Sequence, residues 1–236
     1  MTAAPYLSTS DLTKSYGDVT AVDAVTVEFP DTAVTGLVGP NGSGKTTLIE
    51  LLLGIERPTL GSVEYGGPEE VRRFGYLPQR PTFRPGFTVA ETVDFYAGLV
   101  GDDPDRLLAN VGLEAVADRP VTGLSGGMTR LLGIAQALAG DPPVVVLDEP
   151  ASGLDPAMSE RIFGVVEDIA AEGRAVVLSS HELPWSNGPP TASPSSNRGG
   201  SARREARQSC ENRPAGRSTR RSRRCCGGHR RRRSGR

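Results

Sequence analysis

The sequence predicts an α/β fold built on a mostly parallel sheet, with a smaller antiparallel β layer near the N-terminus. Three observations carry that prediction. Short apolar runs alternate with helical patterns along most of the chain. Two runs, Val144–Leu147 and Ala175–Ser179, are continuous in apolar character, as expected of parallel strands covered on both faces. A glycine-rich loop joins one run directly to a helix at residues 39–46.

Taken in order, strand-like runs occur at Tyr6–Ser10 and Val25–Phe29, and those ahead of Gly36 form the smaller β layer. Val34–Val38 leads into a helix at Lys45–Leu53. Further strands are expected at Ser62–Tyr65 and Phe74–Leu77, and helices at Val89–Leu99 and Asp105–Val111. Ser125–Ala139 places Leu131, Leu132, Ile134, Ala135 and Leu138 on one stripe. The last helix, Pro156–Ala171, opens with Asp155-Pro156, a cap followed by the residue favoured at the first helical position.

Gly39-Pro40-Asn41-Gly42-Ser43-Gly44-Lys45-Thr46 spells G-x-x-x-x-G-K-T between an apolar strand and a helix. That is the context of a phosphate-binding loop, the P-loop of nucleotide triphosphatases. Glycines let successive N–H groups turn toward phosphate oxygens, and the helix N-terminus adds favourable partial charge. Lys45 is placed to reach the β- and γ-phosphates, with Thr46 to ligate Mg²⁺ and Thr47 following in the first turn. Val144-Val145-Val146-Leu147 ends in Asp148-Glu149, two acids after an apolar strand. Asp148 is a candidate Mg²⁺ holder, and Glu149 can orient or deprotonate an attacking water. The loop implies binding of a nucleoside triphosphate.

Composition sets further bounds. The 236 residues have a net charge of −1, but that average describes neither end. Residues 1–183 carry 12 Lys and Arg against 26 Asp and Glu, while residues 184–236 carry 15 Arg against two acids. The acidic part holds just two lysines, Lys14 and Lys45. Self-repulsion at that density is eased by salt, whose Debye length falls to about 3 Å at 1 M. A halophilic setting is therefore expected, the competing reading being an ordinary acidic enzyme that prefers Arg to Lys. All three cysteines, Cys210, Cys225 and Cys226, lie in the basic segment, and no disulfide framework or zinc spacing follows. No N-terminal signal pattern and no apolar run of about 18 residues is read, so a cytosolic chain without a membrane span is expected.

Between the loop and the acid pair lies Leu124-Ser125-Gly126-Gly127-Met128 at a helix start. Here the chain resembles the ATP-binding-cassette (ABC) ATPases, whose signature is L-S-G-G-Q, over about Tyr6 to Leu183. The resemblance implies a helical signature subdomain and two cofactors, ATP and Mg²⁺. It implies that Gly39, Pro40, Asn41, Gly42, Ser43, Gly44, Lys45, Thr46 and Thr47 hold the phosphates, and that Tyr16 stacks on the adenine. Gln79, in Tyr76-Leu77-Pro78-Gln79, would approach Mg²⁺ and the γ-phosphate beside Thr46 and Asp148. Ser125, Gly126 and Gly127 would contact the γ-phosphate held by the opposite subunit. Asp155, in Ser152-Gly153-Leu154-Asp155, would bridge the dimer interface, and His181 would contact the γ-phosphate. Lys45, Gln79, Glu149 and His181 form the implied catalytic set. The implied partners are a membrane permease, which would hold the chain at the inner face of the membrane, and a second ATP-binding subunit arranged head to tail. Met128 in place of Gln points to an export-type subset resembling drug-efflux and copper-processing ATPases. A soluble, non-transport ABC ATPase is the alternative.

Beyond Leu183 the apolar periodicity ends, and Pro, Ser, Gly and Arg dominate. Residues 184–236 therefore read as a disordered tail. Joining the third base of each codon from Pro184 to Gly200 with the first two of the next permits L-V-E-R-A-A-D-R-V-A-V-L-E-S-G-R. That text is similar to the segment that follows the histidine in ABC ATPases, so a reading-frame shift is expected, with loss of the strand that closes the sheet and an inactive remnant as one consequence. The competing reading is a true Arg-rich arm that binds nucleic acid through phosphates at Arg220-Arg221, Arg223-Arg224 and Arg230–Arg233. Its only aromatic is Trp185, so base stacking has little support and no specific nucleic-acid partner is expected.

Overall fold

The computed structural model describes residues 5–69 and 72–181, together with the backbone of a short strand at 191–192. Two sheets are present. Strands β1 (Leu7–Tyr16), β2 (Val19–Phe29) and β4 (Leu60–Tyr65) form an antiparallel layer in the order β2-β1-β4. Strands β5 (Phe74–Leu77), β6 (Val144–Leu147), β7 (Ala175–Ser180), β3 (Val34–Val38) and β8 (Thr191–Ala192) form a parallel sheet in that order.

The first two strands are longer than periodicity suggests. Register shifts interrupt β1 between Thr9 and Leu12 and again between Leu12 and Lys14. Asp11 and Ala24 sit at φ 48° and 47°. Such irregularities break the two-residue alternation by which a strand is recognised, so only the ends nearest Leu7 and Phe29 are legible in the sequence.

The parallel sheet is buried on both faces. Val144, Val146, Ala175 and Val177 pack with Leu37, Leu48, Ile49, Leu51, Leu52 and the β-layer residues Leu7, Leu12 and Phe29. Val145, Leu147, Val176 and Leu178 face the opposite way into a second core with the remaining helices. This explains the unbroken apolar runs in β6 and β7.

Helix α1 (Lys45–Leu52) follows the glycine-rich loop. Helices α2 (Val89–Val100), α3 (Pro104–Val111) and α4 (Gly126–Leu138) make up the helical part. Thr88 and Glu91 close a reciprocal capping box at the start of α2. Asp103 caps α3, Ser125 caps α4, and Asp155 caps α5 (Pro156–Ala171).

On the side of β3 away from β7, Thr191 and Ala192 pair with it in parallel, opposite Gly36 and Leu37. An open edge beside a buried parallel strand leaves unpaired N–H and C=O groups, and even two residues satisfy some of them. The rest of the expected disordered segment, including Trp185, the three cysteines and the arginine runs, lies outside the described residues.

Candidate functional site

The glycine-rich loop leaves β3 and turns into α1. Gly44 stands at φ 87° immediately before the helix, and a Cβ there would meet the Ala21 carbonyl oxygen at 2.1 Å. Both the left-handed backbone and the close approach require glycine. A Cβ on Gly39 would lie 2.7 Å from Ser43 Oγ, so the loop closes tightly on itself.

Lys45 is buried and folds back over this loop, its Nζ donating to the carbonyls of Gly39 at 2.7 Å and Pro40 at 3.1 Å. It also stands 3.7 Å from Glu149 Oε1. The Thr46 hydroxyl donates to Asp148 Oδ2 at 3.0 Å, joining the loop to the end of β6.

Glu149 is the hub. It is 5% exposed and adopts φ 50°, a strained conformation for a residue with a side chain. Gln79 Nε2 donates to its Oε2 at 2.7 Å, and His181 Nε2 lies 2.7 Å from its Oε1. Both carboxylate oxygens are thereby engaged. Tyr76, in the strand before Gln79, has its phenol pushed up to about 12 by burial and then by Asp148 and Glu50. It stays neutral at physiological pH.

Ser179 is a residue the sequence reading passed over. Fully buried, it donates to Asp148 Oδ1 at 2.5 Å and accepts from the Glu149 amide at 2.8 Å. One hydroxyl thus orients both acids. The available signal was a serine at the C-terminal end of an apolar strand, two residues before His181. Arg130 was also missed: from α4 it donates to the Pro78 carbonyl at 3.3 Å, beside Gln79. Burial draws its guanidinium below the ordinary range, while Glu149 and Asp148 oppose that.

The structure therefore brings together Lys45, Thr46, Gln79, Asp148, Glu149 and His181. Glu149, Ser152, Gly153, Ser179, Ser180 and His181 also line a cleft of 320 Å³. Tyr16 is half exposed at the end of β1, with Lys14 Nζ 4.9 Å from its ring centroid. Ser125 and Gly126 are exposed at the start of α4, where Ser125 Oγ accepts from the Met128 amide at 3.3 Å. Gly127 is buried against Met158. Asp155 accepts from the Met158 amide at 3.0 Å. The contacts of Ser125 and Asp155 are with their own helices, apart from the Glu149 hub.

The loop fits a phosphate. Ser43 Oγ is buried without a hydrogen-bond partner, and no side chain caps the N-terminus of α1. An anion there would satisfy both. The Thr46–Asp148 pair suits Mg²⁺, which binds through few protein oxygens and completes its shell with water and substrate phosphates. Among the described residues, no three His, Cys, Asp or Glu side chains converge to form a metal cage.

A family model described as ABC transporter matches residues 22–152, more than half of the sequence. The chain belongs to the ABC transporter family. It is 37% identical over 191 residues to the Nod factor export ATP-binding protein I of Ralstonia nicotianae, covering 75% of this chain and 60% of that relative. It is 33% identical over 184 residues to a lantibiotic transport ATP-binding protein of Streptococcus pyogenes, covering 75% and 80%. The chain thus spans 60% of the length of that Nod factor relative. Among solved structures, it resembles cbiO1 of Clostridium perfringens, part of the cbiONQ transporter complex, at TM-score 0.67 and 26% identity, covering 76% of this chain and 80% of that one. An ATP-binding cassette of another ABC transporter gives the same TM-score, 0.67, with 26% identity and coverage of 77% and 83%. No helix among the described residues is long and apolar enough to cross a membrane.

Proposed function

We propose that the chain is the ATP-hydrolysing subunit of an export-type ABC transporter, acting at the inner face of the membrane on a separate permease. The observation that supports this best is the convergence of Lys45, Gln79 and His181 on the Glu149 carboxylate beside the phosphate loop. Glu149 takes a proton from the attacking water as its oxygen bonds to the γ-phosphorus, and the bond from that phosphorus to the bridging oxygen of ADP breaks. Lys45 and His181 hold the terminal phosphate oxygens, and Gln79 positions the water's side of the site. Mg²⁺, held by Thr46 and Asp148, supplies charge neutralisation when bound. Ser179 keeps the two acids in register.

The exposed Ser125–Gly126 turn supports a head-to-tail dimer in which each copy completes the other's site and Asp155 lies near the join. Export is supported by the Nod factor and lantibiotic relatives, and the cargo is set by the permease. The test is phosphate release from ATP by the full chain. Activity lost in Glu149→Gln supports the reading, and normal turnover in that variant overturns it.

A second reading concerns residues 184–236, which we infer to derive from a shifted reading frame. The similarities that cover 75% of the chain, and the change from an acidic to an arginine-rich composition, support it. Sequencing the coding nucleic acid across codons 180–200 tests it: codons whose adjacent frame encodes A-D-R-V-A-V-L support it, and codons that do not encode that text overturn it.

A further inference from the structure

The chain contains 27 Lys and Arg, of which just two are lysines. One is Lys45 in the phosphate loop. The other, Lys14, sits two residues before Tyr16 on the same strand, and its ammonium lies over the Tyr16 ring. Lys14 makes three contacts at once. Its Nζ lies 4.9 Å from the Tyr16 ring centroid, donates to Glu56 Oε2 at 2.7 Å, and donates to the Arg57 carbonyl at 2.8 Å. A compact ammonium with three donors and a flexible stem meets those directions together, which the planar guanidinium fork does not reproduce.

We propose that Lys14 is a positioning residue for the nucleotide base: it fixes the Tyr16 ring from one side and leaves the other side for a purine to stack. This rests on the assignment of Tyr16 as the base-stacking residue. The anchorage reaches the phosphate site. The Glu56 amide donates to the Glu50 carbonyl at 3.1 Å, and Glu50 lies in α1, the helix that begins at Lys45. A second bracket runs parallel, with the Ser15 amide on Thr59 Oγ1 at 3.1 Å and the Thr59 amide on the Thr13 carbonyl at 2.7 Å. The aromatic platform and the phosphate cradle are thereby linked through residues 56–59, the segment that follows α1. The Glu56 hydrogen bond holds the Lys14 ammonium above its ordinary range and draws the Glu56 carboxyl below its own, so the contact remains ionic at physiological pH.

The experiment is calorimetric titration of the full chain, in Mg²⁺, with ATP and with inorganic tripolyphosphate, which has no base. Lys14→Met is expected to weaken ATP about three- to five-fold, the scale of an exposed cation–π contact, and to leave tripolyphosphate unchanged. Lys14→Arg is expected to restore part of the loss. Lys14→Met is expected to add nothing in a Tyr16→Ala background, because the two act through one ring. Should Lys14→Met fail to fold, Glu56→Gln keeps the lysine and the ring and is expected to shift ATP in the same direction. Equal loss for both ligands, or unchanged ATP binding in Lys14→Met while Tyr16→Ala weakens it, would overturn the role of Lys14 and leave the stacking assignment standing. Unchanged ATP binding in Tyr16→Ala overturns both.

Discussion

His181 Nε2 and Glu149 Oε1 lie 2.7 Å apart, joining the end of the last long strand to the acid that follows β6. Gln79 holds the second carboxylate oxygen at the same distance. Each carboxylate oxygen has a second lone pair, so a water can still approach Glu149 with both partners in place.

Replacing Glu149 by Gln keeps the shape and a hydrogen-bonding end while removing the proton acceptor. Phosphate release is expected to fall by about 10²- to 10⁴-fold, the usual contribution of a positioned base. ATP binding is expected to persist. Size-exclusion chromatography with ATP is expected to show a larger dimer fraction for this variant than for the parent.

Ser179 is fully buried, and its hydroxyl serves Asp148 and the Glu149 amide together. Ser179→Ala leaves both groups short of a partner in a site where water is scarce. A loss of about 1–3 kcal/mol is expected in urea unfolding, with a lower kcat as the acids lose their register. A variant with parental stability and turnover would show that the two acids orient themselves.

Much of this site was legible in the sequence because its parts are local. The loop at Gly39–Thr46, the Asp148–Glu149 pair and the strand before His181 each need only their neighbours to be recognised. Parts that depend on distant segments were not legible. Ser179 has meaning only once β7 lies beside β6, and Lys14 only once β1 lies beside the chain after α1. The two long N-terminal strands escaped for another reason: their bulges at Asp11 and near Lys14 destroy the alternation on which a strand reading relies.

Asp102 provides a pH-dependent support. Burial pulls its pKa upward, but Arg106 and the amides of Gly140 and Asp103 outweigh that and hold it below the ordinary value. Arg106 donates to both carboxylate oxygens, at 2.7 and 2.8 Å. A carboxyl depressed in the folded state stabilises the fold above its unfolded pKa, and that support disappears as pH falls through the folded value. Parent and Asp102→Asn should therefore differ in stability at neutral pH and converge below about pH 4. A constant gap across that range would mean that Asp102 acts by shape alone.

Residues 1–183 carry a net charge of −14. Repulsion among exposed acids is screened once the Debye length shrinks from about 10 Å at 0.1 M salt to about 3 Å at 1 M. The thermal midpoint is expected to rise steadily between those concentrations in KCl. A flat or falling midpoint would count against adaptation to high salt.

The edge of β3 yields the last prediction. Thr191 and Ala192 meet Gly36 and Leu37, and these are the pairs to β3 among the described residues of that segment. The alternative frame supplies an apolar run, A-D-R-V-A-V-L, at the same place in the chain. A strand of that text would continue the ladder along β3 and bury two or three large apolar side chains. Each such side chain contributes about 1.5–3 kcal/mol when fully buried, and backbone ordering offsets much of it. A net gain of about 2 kcal/mol corresponds to a rise of about 4–8 °C in the thermal midpoint for a domain of this size. The comparison is between the given chain and one carrying the alternative text from residue 184. Because His181 stands just ahead of that segment and contacts Glu149, the same replacement is expected to raise ATP turnover as well as stability. A higher midpoint without higher turnover would place the closing strand in the fold and outside the catalytic step.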